Sequence, residues 1–333
     1  MGRLLFFLVD VVAIFALLML LGRLLVARSR VPQPGDSAAE TVALGAVGWL
    51  LRLSGWLVLL LVSAAAVTYM LSERTLRRRL DIPLPALAVP SDSAALARGA
   101  HLVPLLGCPG CHGSDLGGKV FFEERGVARL VAPNLTRGPG GRGADYSDME
   151  LARALREGVR RNGQPLFAMP TAEFHSLSDA DLGAVIAHVR RVPPVASIVP
   201  PTRIWWLGRL GIATGRYPVS RDFLPDTAPR PVATPSGATV EHGRYLAHAI
   251  CTECHLATGE VERVARGEPP HMDVLAAYDA AGLRRVVSHG VAQDGRTLRP
   301  MMGGGRFAGL TDEELAALQV YFRSRLAGAA PAP

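Results

Sequence analysis

All four cysteines of this 333-residue chain fall in two copies of one pattern, Cys108-Pro109-Gly110-Cys111-His112 and Cys251-Thr252-Glu253-Cys254-His255. Two thiols three residues apart can add to the two vinyl groups of one haem. A histidine directly after the second thiol is then held beneath the ring, with its imidazole on the iron. Porphyrin dimensions set this spacing, so other uses of paired cysteines fit less well. A four-cysteine zinc site brings its pairs about 15–20 residues apart and needs no following histidine. Here the pairs lie far apart in sequence, and the βαβ context of a redox dithiol is absent. No cysteine remains for a structural disulfide or a lone nucleophile, and no catalytic residue is assigned. The pattern predicts two covalent haem c groups bound through Cys108, Cys111, Cys251 and Cys254, with His112 and His255 as proximal ligands.

A haem that only carries electrons usually has a sixth ligand, and a methionine thioether raises its potential by favouring ferrous iron. Met169 is expected in that role for the first haem, in a loop fixed by Pro165 and Pro170. For the second haem the expected ligand is Met302, with Met301 as its competitor. Other candidate ligands are His175 at the first haem and His271 or His289 at the second, each more simply read as a surface or supporting histidine.

The elements that must position these groups form an internal repeat. Each copy opens with a short helix carrying a glycine (Gly99, Gly243) and ending before the first cysteine. A tyrosine–leucine pair follows (Tyr146 and Leu151, Tyr278 and Leu283), then a glycine (Gly158, Gly290). Each copy then has a methionine, a phenylalanine five residues on and a leucine three further: Met169, Phe174 and Leu177, then Met302, Phe307 and Leu310. A capped helix closes each, at Ser178 and at Thr311, the second with the full capping box to Glu314.

Ahead of the repeat, residues 4–26 form an apolar run broken only by Asp10, Gly22 and Arg23, and residues 50–71 form a second, with Trp49, Trp56 and Tyr69 placed like interfacial anchors. Both are expected to span a membrane, the first as a retained helix. Asp10 is a carboxylate inside a span, either paired with a partner subunit or reaching the interface. The expected plan is an anchor over residues 1–80, haem domains over 91–195 and 238–328, and a linker over 196–237. In that linker Trp205-Trp206-Leu207 reads as part of a strap on the first domain or as a segment dipping into the bilayer surface.

Composition agrees with a membrane protein: mean hydropathy is +0.22. The net charge of +7 favours anionic lipid or an acidic partner face. Nucleic acid is not an expected partner, because no basic stretch is interleaved with aromatics in a binding module.

The two motifs, each followed by a methionine, an aromatic and a terminal amphipathic helix, resemble class I cytochrome c domains over 91–192 and 238–326. The whole is similar in architecture to the di-haem subunit of C-family haem–copper oxidases and to cytochrome subunits of periplasmic dehydrogenases. The resemblance implies that the Pro133 carbonyl accepts a hydrogen bond from His112, and Pro269 or Pro270 from His255. It also implies that the first helix packs on the last through the glycine and an aromatic, as Gly243 with Tyr321 fits, whereas Gly99 faces His188, a departure from the family pattern. The expected fold is all-α: two N-terminal transmembrane helices, then two tandem cytochrome c-like domains. The expected function is one-electron transfer between redox proteins, as a carrier or as a subunit of a larger membrane complex, with the haem domains on the periplasmic face of a bacterial inner membrane. That topology places residues 28–40 inside, and the arginines of 74–79 then run against the positive-inside tendency. The alternative is a di-haem enzyme, a peroxidase or sulfur-compound oxidising type, with one open haem site.

Overall fold

The computed structural model describes residues 2–224, 233–252, 255, 272–298 and 305–329, with side chains from residue 11 to 326 of these. The chain divides into two compact units, residues 1–73 and 74–333.

The first unit is a pair of helices, α1 (Gly2–Arg30) and α2 (Ala38–Arg77). Both are long and apolar enough to cross a membrane by length and composition. The second helix starts well before residue 50, where a Ser37–Glu40 capping box opens it: Ser37 N–H donates to Glu40 at 2.8 Å, and Glu40 N–H donates to Ser37 Oγ at 3.2 Å. Gly22 and Gly48 let the helices approach closely. A Cβ on Gly22 would lie 2.7 Å from the Gly48 carbonyl oxygen, and small residues of this kind are what permit tight helix contacts in lipid. Trp56 meets Phe15 edge-on at 5.6 Å. Leu20, Leu24, Leu53 and Leu60 point outward. The Asp10 side chain lies outside the described residues.

In the second unit, α3 (Ser93–Leu105) and α4 (Cys108–His112) lead into strands β1 (Lys119–Glu124) and β2 (Ala128–Ala132). Helices α5 (Asp148–Glu157), α6 (Thr171–His175) and α7 (Asp179–Arg191) complete the first copy of the repeat. The segment read as a linker carries β3 (Arg203–Ile204), α8 (Trp206–Ala213) and a 3-10 turn at Ser220–Phe223. The second copy contains α9 (Val240–Ile250), a 3-10 turn at Met272–Ala277, α10 (Ala280–His289) and α11 (Asp312–Ala329).

The three strands form one antiparallel sheet in the order β1-β2-β3, a departure from the all-α expectation within a mostly helical chain. Residues 119–132 form a hairpin turning at Gly126 (φ +80°), and β3 pairs Arg203 with Arg129 and Ile204 with Ala128.

The repeat is visible in the backbone. Gly158 and Gly290 take left-handed C-cap positions (φ +62° and +64°). Val159 bridges Pro165, and Val291 bridges Thr297. In each copy the first helix packs on the last. A Cβ on Gly99 would lie 2.1 Å from the Ala184 carbonyl oxygen, and one on Gly243 would lie 2.0 Å from that of Ala317 and 2.6 Å from Tyr321 Cβ. Ser178 caps α7 by accepting from Asp181 N–H at 3.1 Å. Thr311 and Glu314 exchange both capping-box hydrogen bonds.

One apolar core runs through both copies, joining Leu102, Leu177 and Ile186 to Leu246, Met272 and Phe322. The approach segment also packs on it: Leu87 and Val89 cover the core, and Leu80 N–H donates to the Gly163 carbonyl at 2.9 Å. Charged groups close the junction between the copies. Arg98 holds Asp181 through two contacts of 2.9 and 3.0 Å and Glu314 at 3.0 Å. His101 Nε2 donates to Glu314 at 2.9 Å. Burial would raise the Glu314 carboxyl, but His101, the Thr311 N–H and Arg98 bring it down to about 2.

Candidate functional site

The first attachment motif is a single helical turn between two left-handed glycines, Gly107 (φ +75°) and Gly113 (φ +86°). The chain then doubles back. Gly118 N–H donates to the His112 carbonyl at 2.7 Å, and Gly118 itself takes φ +81° with its backbone against Pro133 and Asn134. A Cβ there would come within 2.5 Å of Asn134 N, so only glycine lets this loop lie on the segment after β2. The result is that His112 Nδ1 sits 2.8 Å from the Pro133 carbonyl oxygen. A carbonyl only accepts, so Nδ1 carries the proton and the lone pair is on Nε2. Burial lowers the His112 pKa, against the opposing pull of the Pro133 hydrogen bond, and this keeps the imidazole neutral. A neutral, oriented imidazole is what iron ligation requires.

Cys108, Cys111 and His112 open onto a cavity of about 1100 Å³ that Met169 also lines. Its walls are mainly apolar, with Leu135, Phe174 and Ile186 among them, and Arg142, Tyr146, Arg160 and Asn162 bring polar groups to the same cavity. Phe121 reaches it through a β-bulge: Val120 pairs with Val131 and Phe122 with Leu130, leaving Phe121 as the extra residue. This lining fits a haem. Two thiols can hold the vinyl edge, an imidazole and a thioether are side chains able to ligate iron, and cationic and hydroxyl groups suit the propionates.

Residues 96–193 match the family model for cytochrome c. They are a cytochrome c domain. A cytochrome c domain implies a covalently bound haem c and electron transfer through it. Curated relatives point the same way. The chain is 29% identical over 182 residues to the cytochrome c subunit of alcohol dehydrogenase (quinone) from Gluconobacter oxydans, covering 52% of this chain and 37% of the relative. It is 29% identical over 180 residues to the gluconate 2-dehydrogenase cytochrome c subunit of Pantoea cypripedii, covering 50% and 38%. It is 26% identical over 208 residues to the fructose dehydrogenase cytochrome subunit of Gluconobacter japonicus, covering 58% and 41%. The chain thus spans about two fifths of the length of these relatives.

At the second motif, Cys251 caps α9 and His255 is buried, its N–H donating to the Cys251 carbonyl at 2.9 Å. Cys254, Pro269, Pro270, His271, Met301 and Met302 lie outside the described residues. Of the other candidate histidines, His289 is exposed at the end of α10. His175 is buried with Nδ1 donating to the Arg156 carbonyl at 2.9 Å, which explains it as a core group. Sequence reasoning missed Phe121, Gly118 and Ser220, whose roles depend on chain segments distant from each in sequence.

Proposed function

We propose that this chain is a membrane-anchored di-haem cytochrome c that acts as the electron-transfer subunit of a dehydrogenase complex. The observation that carries the reading is the single cavity that gathers Cys108, Cys111, His112 and Met169, with His112 oriented by Pro133. Cys108 and Cys111 hold the first haem, and His112 and Met169 are its axial ligands. Cys251 and Cys254 hold the second, ligated by His255 and Met302. Haem supplies a one-electron redox couple; the chain's own residues attach it, orient its imidazole ligand and exclude water from its faces. The apolar helices α1 and α2 anchor the haem domains at the outer face of the inner membrane. The cytochrome subunits of alcohol, gluconate and fructose dehydrogenases among the relatives support a dehydrogenase as electron donor.

Purification in mild detergent from the native membrane tests this. Recovery of a dehydrogenase subunit with the chain, and haem reduction when that enzyme's substrate is added, is the expected result. Recovery of the chain alone, reducible only by freely diffusing donors, would overturn the subunit reading.

A further inference from the structure

The loop that carries Met169 is not held by the residues of the matched cytochrome c range alone. Ser220, beyond that range, is 2% exposed and sits directly on the loop. Its hydroxyl accepts from Met169 N–H at 3.1 Å, and its own N–H donates to the Leu166 carbonyl at 3.0 Å. The Met169 carbonyl accepts from Thr171 N–H at 2.8 Å, so both backbone polar groups of the methionine are fixed. Between these contacts Ala168 takes φ +64°, a conformation that disfavours a residue with a Cβ and persists only where its surroundings enforce it. The 3-10 turn bearing Ser220 is itself held by the residues on either side of the serine. Arg221 pairs with Glu157, Asp222 pairs with Arg78, and Val219 beside them is fully buried.

We propose that Ser220 is a positioning residue for the sixth ligand of the first haem: it braces the strained Met169 loop so that the thioether stays directed into the cavity. This rests on the reading of Met169 as that ligand. Without the hydroxyl, the Met169 N–H loses its partner in a part-buried site, which favours loop opening.

The test uses the full-length holoprotein in detergent. Imidazole binding to the ferric first haem requires the methionine to leave, so its rate reports loop opening. Ser220→Ala should speed imidazole binding about five- to tenfold, the loss of one part-buried hydrogen bond. It should also lower the first haem's potential and leave the second haem's unchanged. Ser220→Thr, which keeps the hydroxyl, should restore both. Arg221→Ala loosens the same turn from a part-exposed position and should raise the rate in the same direction, even if Ser220→Ala fails to fold. Met169→Ala separates the two readings, because it should remove the first haem's share of the methionine-to-iron charge-transfer band. Survival of that band would overturn both the ligand reading and the brace. Loss of the band with wild-type imidazole rates in Ser220→Ala and Arg221→Ala would overturn the brace alone.

Discussion

The Tyr245 hydroxyl donates to Asp181 at 2.7 Å across the junction of the two copies. His101, two residues after Gly99 as Tyr245 is after Gly243, makes the reciprocal contact to Glu314 at 2.9 Å. Asp181 and Glu314 occupy the same capping position in the last helix of each copy. Each first helix therefore reaches the last helix of the other copy, and the two pack as near-equivalents on one core.

Tyr245→Phe removes the buried, charge-assisted hydrogen bond to Asp181 and the one the hydroxyl accepts from Ser178 N–H at 3.3 Å, and leaves the Asp181 carboxylate to Arg98. The expected loss is about 1–3 kcal/mol of stability. Denaturant unfolding of the holoprotein checks this, and a change below about 0.5 kcal/mol would show that the junction is not held there.

Glu314 gives the same junction a pH dependence. Its folded pKa of about 2 lies below the ordinary carboxylate value, so the folded state binds fewer protons than the unfolded one. The stabilisation is complete above roughly pH 4.5 and is lost as pH falls toward the folded value. Glu314→Gln should flatten the acid limb of the stability curve over that interval. An unchanged acid limb would contradict the assignment.

Gly118→Ala should destabilise the first domain by more than about 1 kcal/mol, since both its φ and its closeness to Asn134 exclude a Cβ. The same change displaces the Pro133 carbonyl from His112, so a shift in the first haem's potential should accompany it. Potentiometric titration follows both haems at once, and only the first should move.

How far these features could be read from sequence depended on how local they were. The two Cys-x-x-Cys-His motifs and the caps at Ser178 and Thr311 are patterns of spacing within one element, and the packing of Gly243 on Tyr321 followed from the resemblance to cytochrome c domains. The sheet was not legible: β1 is short, its alternation is broken by the bulge at Phe121, and β3 has only two residues. Nothing around Ser220 announces that its hydroxyl meets a methionine 51 residues earlier.

The same spacing logic bears on the methionine proposed for the second haem. Gly290 to Leu298 repeats Gly158 to Leu166, with Leu298 N–H donating to the Gly290 carbonyl as Leu166 does to Gly158. Phe307 and Leu310, matched to Phe174 and Leu177, stand one residue further on. The extra residue falls between Leu298 and Phe307, so the upstream frame aligns Met169 with Met301 and the downstream frame with Met302. Met302 is the proposed ligand, because Met169 is tied by its carbonyl to the helix that bears Phe174. Met302→Ala should lower the second haem's potential and erase its methionine-to-iron band, while Met301→Ala preserves both. The reverse pattern would move the assignment to Met301.

The central claim is that each Cys-x-x-Cys-His copy attaches its own haem. A pyridine haemochrome measurement on the denatured, acid-acetone-washed protein, set against protein concentration, counts the covalent haems directly. The account predicts two per chain, falling to one when Cys251 and Cys254 are both replaced by Ala. One haem per wild-type chain would contradict it.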